Sequence, residues 1–583
     1  MVIEILAPVG GSEQLIAAVK AGADAVYLGT ENFNARRNAH NFNNLSSSVE
    51  YCHNNGTKVY VTLNTVIKNR EIGAFVKTVK EIADAGADGV IVQDLGGIEL
   101  IKSVCPNLPL HASTQMTVHN LSGVKMLEEL GFSRAVLARE LSFKEIKYIC
   151  ENTDMEIEVF VHGALCVCVS GQCYLSSVLG ARSGNRGLCA QPCRLDFNNG
   201  ERGYALSLKD MSLYEHINKL TSCGVNSLKI EGRMKRPEYV YKAVTECRKA
   251  LNGDIPDMKM LKDVFSRSGF TDGYFTGNIG PDMFGRRTDE DVASMSRVLS
   301  DIDKQMQSSN YPKREPVKTQ KYKTYEFETL SVSASDVKKQ VRVRAENISQ
   351  LTDKIIKNAD KTILPIKEIF SNTNLASIKP KLIAELPLMF YGTPDKMKSM
   401  LNQLKENDIN EVVVGNIGAM YEAINMGFTV HTDYSMNITN KYAVESLKKQ
   451  SVASVTMSYE TNSKDIKGTI PVGVIAYGYL PLMTYRSCPA KKKAGCSKCN
   501  KTPVITDRYG KRFTVICRDT YSQMLNSIPL YIGDKCKDIK CDFYTIYFTT
   551  ESKSECEKVF DLCTDGKAFN GEMTRGLYFK ELI

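Results

Sequence analysis

The sequence predicts an α/β protein whose first part is a TIM-type (β/α)8 barrel, and three observations support that class. Short β-rich runs alternate with amphipathic helical runs over residues 1–290, the order that builds a parallel sheet. Eight such runs fit the length of a barrel of about 250 residues. Nearly every run ends on a polar or charged side chain, and in such barrels the carboxyl ends of the strands carry the active site.

The predicted strands are 3–7, 25–28, 58–63, 89–93, 109–113, 134–138, 158–161 and 227–230. The first leads through Pro8, Val9, Gly10 and Gly11 into a helix near 13–21, and the second leads into a polar loop with Arg36 and Arg37. The third ends at Asn64, the fourth at Asp94 and the fifth near Gln115. The sixth ends at Arg139 and Glu140, the seventh at His162, and the eighth at Glu231 and Arg233. Any one of these reads equally well as a loop cap or an ion-pair member. As a set on one rim they are the candidate catalytic residues, with His162 and Glu140 as the proton-transfer groups.

At 583 residues the chain has length for two or more domains. A hydrophobic share of 43% and a charged share of 24% are ordinary for globular proteins. No apolar run is long enough to span a membrane, and the start passes directly into a strand, so the expected compartment is the cytoplasm. In reducing surroundings the 18 cysteines are expected as metal ligands or catalytic thiols where they cluster, not as disulfides. Cys52, Cys105, Cys150 and Cys223 stand singly in apolar or helical stretches and read as small buried side chains. The net charge of +9 suits a polyanionic partner and equally suits plain solubility.

Strand seven opens into a run of thiols, Cys166, Cys168, Cys173, Cys189 and Cys193, with a Gly/Ser/Arg/Asn-rich loop at 180–187. Such a loop cannot build a core, so thiolates on a metal are the natural means of holding it. This cysteine-rich insertion after strand seven shares the rim with the polar strand ends.

After the barrel, residues 291–325 lose periodicity and read as a linker, and 326–380 read as a small β-rich domain with an alternating strand at 341–344. Residues 381–583 read as a degenerate internal repeat of the barrel's second half. The segment 412–419 echoes 90–97, and 431–440 echoes 111–120. Glu460 lies 29 residues after His431, as Glu140 lies 29 after His111. In the repeat Tyr477 stands for His162, Pro481 for Cys166 and Tyr459 for Arg139. The repeat also carries its own thiols, Cys488, Cys496, Cys499 and Cys517, centred on a CxxC, which read as a structural zinc site with an iron–sulfur cluster as the alternative. Lys491, Lys492 and Lys493 beside them offer phosphate a cationic surface or form a solvated turn.

The spacing Cys166-x6-Cys173-x15-Cys189-x3-Cys193, together with Phe160, Gly163 and Gly171, resembles the peptidase U32 family. The segments 184–194, 228–233 and 270–274 resemble its branch of 23S ribosomal RNA cytidine hydroxylases, and the tRNA uridine-hydroxylating branch is similar. The resemblance implies a [4Fe–4S] cluster on Cys166, Cys173, Cys189 and Cys193, with Cys247 as the reserve fourth ligand. It also implies oxygen-independent hydroxylation of an RNA pyrimidine at C5, with prephenate as the small-molecule oxygen donor. For that dicarboxylate, Arg139, Arg233 and Arg36 or Arg37 are the natural forks. The family's older peptidase assignment would need a nucleophile such as Cys166 paired with His162.

Overall fold

The computed structural model describes residues 3–332, 338–372, 375–492, 495–496, 499, 502–518 and 520–580. Eight parallel strands close the first barrel: β1 (Glu4–Pro8), β2 (Ala25–Gly29), β3 (Lys58–Leu63), β4 (Gly89–Val92), β5 (Leu110–Ala112), β6 (Arg134–Val136), β7 (Glu156–Gly163) and β8 (Ser227–Ile230). β8 pairs with both β1 and β7, which removes every free edge. The outer face of the strands packs on the helices through Val, Ile and Leu, while the inside carries charge. Arg134 bonds Glu4 and Glu158, and Lys229 bonds Glu158 at 2.6 Å, so these buried ions are paired.

A second barrel follows: β9 (Gln340–Ala345), β10 (Lys361–Pro365), β11 (Leu382–Glu385), β12 (Glu411–Val414), β13 (Thr429–Thr432), β14 (Ser454–Thr456), β15 (Val472–Gly478) and β16 (Phe543–Phe548). β15 pairs with β14 and β16, and β16 pairs with β9, closing the ring. Two expectations change. Residues 326–380 are not a separate β-rich domain, because β9 and β10 lie there and pair into the ring. The last part is thus a full barrel and not half of one. The alternating strand at 341–344 is present, with both of its arginines buried inside the barrel.

The expected linker also differs. Its first part is the helix Asp289–Ser308, capped by Thr288, and only the stretch after it is extended. That stretch crosses the ends of the first barrel's helices and satisfies carbonyls left open there. Arg314 donates to Gly22 and Ala23, the Val317 amide to His53, and the Tyr325 amide to Val104.

The barrels meet through an exchanged pair of helices. Leu95–Val104, after β4, packs on Lys441–Lys449, after β13. Leu121–Glu129, after β5, packs on Ile417–Asn425, after β12. At each crossing a glycine lies against the other helix's Asn cap: a Cβ on Gly96 would stand 2.2 Å from Asn440 Oδ1, and one on Gly418 2.5 Å from Asn120 Oδ1.

Candidate functional site

The cysteine-bearing segment leaves β7 at the carboxyl end of the first barrel and lies across its mouth. All four thiols, Cys166, Cys173, Cys189 and Cys193, line one cavity of about 150 Å³. Of the polar strand ends, Asn64, Gln115, Arg139, Glu231 and Arg233 line the same cavity. Sequence spacing placed these residues on a rim, and the fold brings them together around one space.

Their electrostatics are specific. Glu231 is held below its ordinary range: burial alone would raise it, but Arg36 and Arg139 beside it and a 2.7 Å bond from Arg36 overcome that. Arg139 reaches Ser170 and the Ala164 carbonyl, lies over the Phe160 ring, and keeps a buried Nε with no partner. Arg233 is wholly engaged, donating to Val9, Asn34, Thr62 and Asn41, and burial lowers its pKa to about 10. It therefore fixes the loop that carries Arg36.

Three rim residues take other places. Asp94 caps the helix after β4 through Gly97 and accepts both Ile67 N–H and Asn440 Nδ2, so its carboxylate joins the two barrels and does not line the thiol cavity. Glu140 is fully buried away from the cavity, its carboxyl oxygens unpartnered and its pKa raised by burial. His162 is enclosed by Tyr214, Tyr239 and Phe270, bonded through Nδ1 to Ser212, and burial lowers its pKa to about 3. Its displacement has a backbone cause. Pairing of β7 with β8 slips between Phe160–Lys229 and His162–Ile230, and a one-residue slip turns a side chain to the other face. Phe160 and Lys229 consequently line the cavity while His162 does not.

The donor set fits an iron–sulfur cluster. Burial raises Cys189 to about 11 and Cys193 to about 12, and each feels the charge of the other thiols. Such groups become thiolates when cationic iron is present. Among the described residues no three His, Cys, Asp or Glu side chains converge closely enough for a single ion. Cys168 is already used: its Sγ donates to the Gln172 carbonyl and accepts the Thr484 amide. Cys247 is buried in the helix Pro237–Leu251 and does not line the cavity. Of the second set, Cys517 lies in Arg512–Arg518 and Cys488 just beyond Pro481–Tyr485, both strands of a five-stranded sheet. Cys488 is raised by burial, with Cys517 and Cys496 among its charged neighbours. Lys493 lies outside the described residues.

Sequence reasoning missed three contributors. Lys229 had a signal, a lone charge inside the apolar run of β8. Ser170, the partner of Arg139, lay unremarked among the cysteines. Met483 had none: it comes from the second barrel, lines the cavity and bridges to Cys173.

Comparison with known proteins places the chain among named relatives. The chain is 40% identical over 270 residues to tRNA hydroxylation protein P1 of Bacillus subtilis, spanning 44% of this chain and 64% of that one. It is 38% identical over 282 residues to the 23S rRNA 5-hydroxycytidine C2501 synthase of Escherichia coli, spanning 47% and 42%. The match thus spans less than two thirds of either relative. A protein named collagenase from Porphyromonas gingivalis is 37% identical over 309 residues, spanning 47% of this chain and 73% of that one. The profile of peptidase family U32 matches residues 10–283, the barrel and its cysteine segment. On these matches, the chain belongs to peptidase family U32.

Proposed function

We propose that this protein is an RNA-modifying hydroxylase that adds a hydroxyl at C5 of a pyrimidine, foremost a 23S rRNA cytidine, without molecular oxygen. The reading assigns a [4Fe–4S] cluster to Cys166, Cys173, Cys189 and Cys193, and prephenate as oxygen donor. The observation that carries it is the single cavity lined by these four thiols together with Cys168, Arg36, Arg139 and Glu231. Relatives named for hydroxylation of tRNA and of 23S rRNA support the substrate class.

When bound, the cluster supplies redox capacity tuned by its thiolates and their surroundings. Arg139, with an unused N–H, and Arg36 hold the donor's carboxylates. Glu231 stays ionised beside them and keeps Arg36 in place. Arg233 fixes the loop 34–41, so it orients Arg36 and does not itself grip the donor. A target base must leave its stack to enter a space of this size, and the Phe160 and Tyr27 rings that line it offer apolar contact. The second thiol set is assigned to structural zinc. The peptidase reading needs His162 to activate Cys166, whereas His162 Nε2 has no hydrogen-bond partner and its ring is caged by aromatics.

Nucleoside mass spectrometry of rRNA and tRNA from a deletion strain tests the proposal. Loss of 5-hydroxycytidine from 23S rRNA is expected. Loss of a tRNA 5-hydroxyuridine derivative instead would reassign the target, and unchanged nucleosides in both RNAs would overturn RNA hydroxylation in favour of a small-molecule substrate.

A further inference from the structure

The cysteine segment is gripped from both sides, and one side belongs to the other barrel. From the first barrel, Thr117 Oγ1 donates to the Ser170 carbonyl at 2.8 Å. From the second, Asn437 Nδ2 donates to the next carbonyl, Gly171 O, at 2.7 Å. Thr117 and Asn437 hold equivalent places, each in the left-handed conformation (φ 61° and 57°) in the loop after the fifth strand of its barrel. Asn437 Oδ1 also accepts the Tyr174 hydroxyl at 2.7 Å and Asn185 Nδ2 at 3.4 Å. Glu460 Oε2 accepts Ser183 Oγ and Asn185 Nδ2. Along the segment, the amides of Val169 and Tyr174 donate to the Thr484 and Leu482 carbonyls, both at 2.8 Å.

Little slack remains between these grips. Gly171 has φ +84°, and a Cβ there would stand 2.2 Å from the Gln115 carbonyl, so the segment passes between the barrels with no room for a side chain. Every one of these partners is buried, and a buried polar group that loses its partner must find water or move.

We propose that the second barrel is the positioning half of the thiol site. Asn437, seconded by Glu460, fixes residues 170–185, and through them the mutual placement of Cys166, Cys173 and Cys189. The inference rests on the cluster assignment above but makes a claim of its own: these residues touch neither cluster nor substrate and act through the segment they hold.

The test uses the full chain. N437A, E460Q and N416A are purified anaerobically and reconstituted with iron and sulfide. Asn416 is the control, a buried cap of the same barrel whose side chain bonds only Ala419 and the 387–388 carbonyls. Three readouts are taken: iron per chain, the rate at which a chelator bleaches the cluster's visible absorption, and amide hydrogen exchange over 165–190. N437A is expected to bleach at least about tenfold faster than wild type, a range typical of lost supporting hydrogen bonds at metal sites. It should also raise exchange in that segment alone, with E460Q smaller in the same direction and N416A unchanged. Wild-type bleaching and exchange in N437A would overturn the proposal, as would equal loss in N416A, which would mark a general fold defect. If wild-type protein takes up no iron, the cluster assignment fails by itself, and the exchange pattern still decides whether Asn437 positions the segment.

Discussion

The two barrels share a strand plan and differ in what fills their mouths. In the first, a cavity of about 150 Å³ is bordered by Arg139, whose Nε has no partner, and by thiols that no disulfide joins. In the second, the space inside is about 10 Å³. Arg344 meets Glu385 with two bonds, at 2.6 and 2.8 Å, and meets Asp433 at 2.8 Å, while Arg518 pairs with Glu346. Arg344 is satisfied by carboxylates of its own chain, whereas Arg342 Nε and Arg518 Nε, like Arg139 Nε, keep no partner. The barrels therefore differ in the space beside their charges: Arg139 borders a cavity of about 150 Å³, while Arg342 and Arg344 are packed around about 10 Å³.

The largest effect separating the two is expected from Cys166→Ser, which should remove the reconstituted iron and the hydroxylase activity while leaving the unfolding transition in place. Iron retained at wild-type level would break the assignment of the first mouth. Next come matched arginine removals. Arg344→Met strands Glu385 and Asp433 in the interior and should cost about 3–5 kcal/mol of stability. Arg139→Met should cost at most about 2 kcal/mol, yet lower kcat/KM about 100-fold or more if it holds the developing charge. Denaturant unfolding and steady-state kinetics on both variants measure this contrast, and equal stability losses would erase it.

Acid sharpens the comparison at the seam. His119 accepts the Phe390 amide at 2.9 Å and donates to the Thr117 carbonyl, so it must be neutral, and burial lowers its pKa to about 4. His162 is lowered by burial to about 3. Each binds its proton more readily unfolded, near pH 6.5, than folded. The stability they lend is complete above that pH and is lost as pH falls towards 4, at about 1.4 kcal/mol per pH unit for each histidine. Unfolding free energy measured at pH 7 and pH 5 should show this fall, and a shallower fall in H119Q between those values, with the His162 share remaining, would assign the seam's share. The smallest effect belongs to Arg37→Ala. Arg37 is exposed beside Arg36, and its removal should change stability by less than about 0.5 kcal/mol; a large loss of donor binding would instead promote it over Arg36.

The first barrel was legible because its strands carry apolar runs and its rim carries polar or charged side chains at nearly every strand end. Within the rim, Asn64, Gln115, Arg139, Glu231 and Arg233 reach the cavity as their spacing suggested. Asp94 did not, because a carboxylate after a strand caps a helix as readily as it binds a ligand, and nothing local says which. His162 was hidden by a slip in strand pairing, which leaves no mark on composition. The second barrel's opening strands were misread because a charged barrel interior imitates a solvent face. Met483 and Asn437 contact a cysteine segment more than 240 residues before them, a relation only the fold creates.

The extended strap after Ser308 runs beneath the first barrel, while the partner barrel sits over its mouth. The chain therefore reaches around the first barrel instead of hinging at one edge. A protease cut within residues 309–330 would leave both barrels intact and turn a tethered neighbour into a separate molecule held by its interface alone. Dilution would then matter where it does not now, because the tether sets a high local concentration of one half for the other.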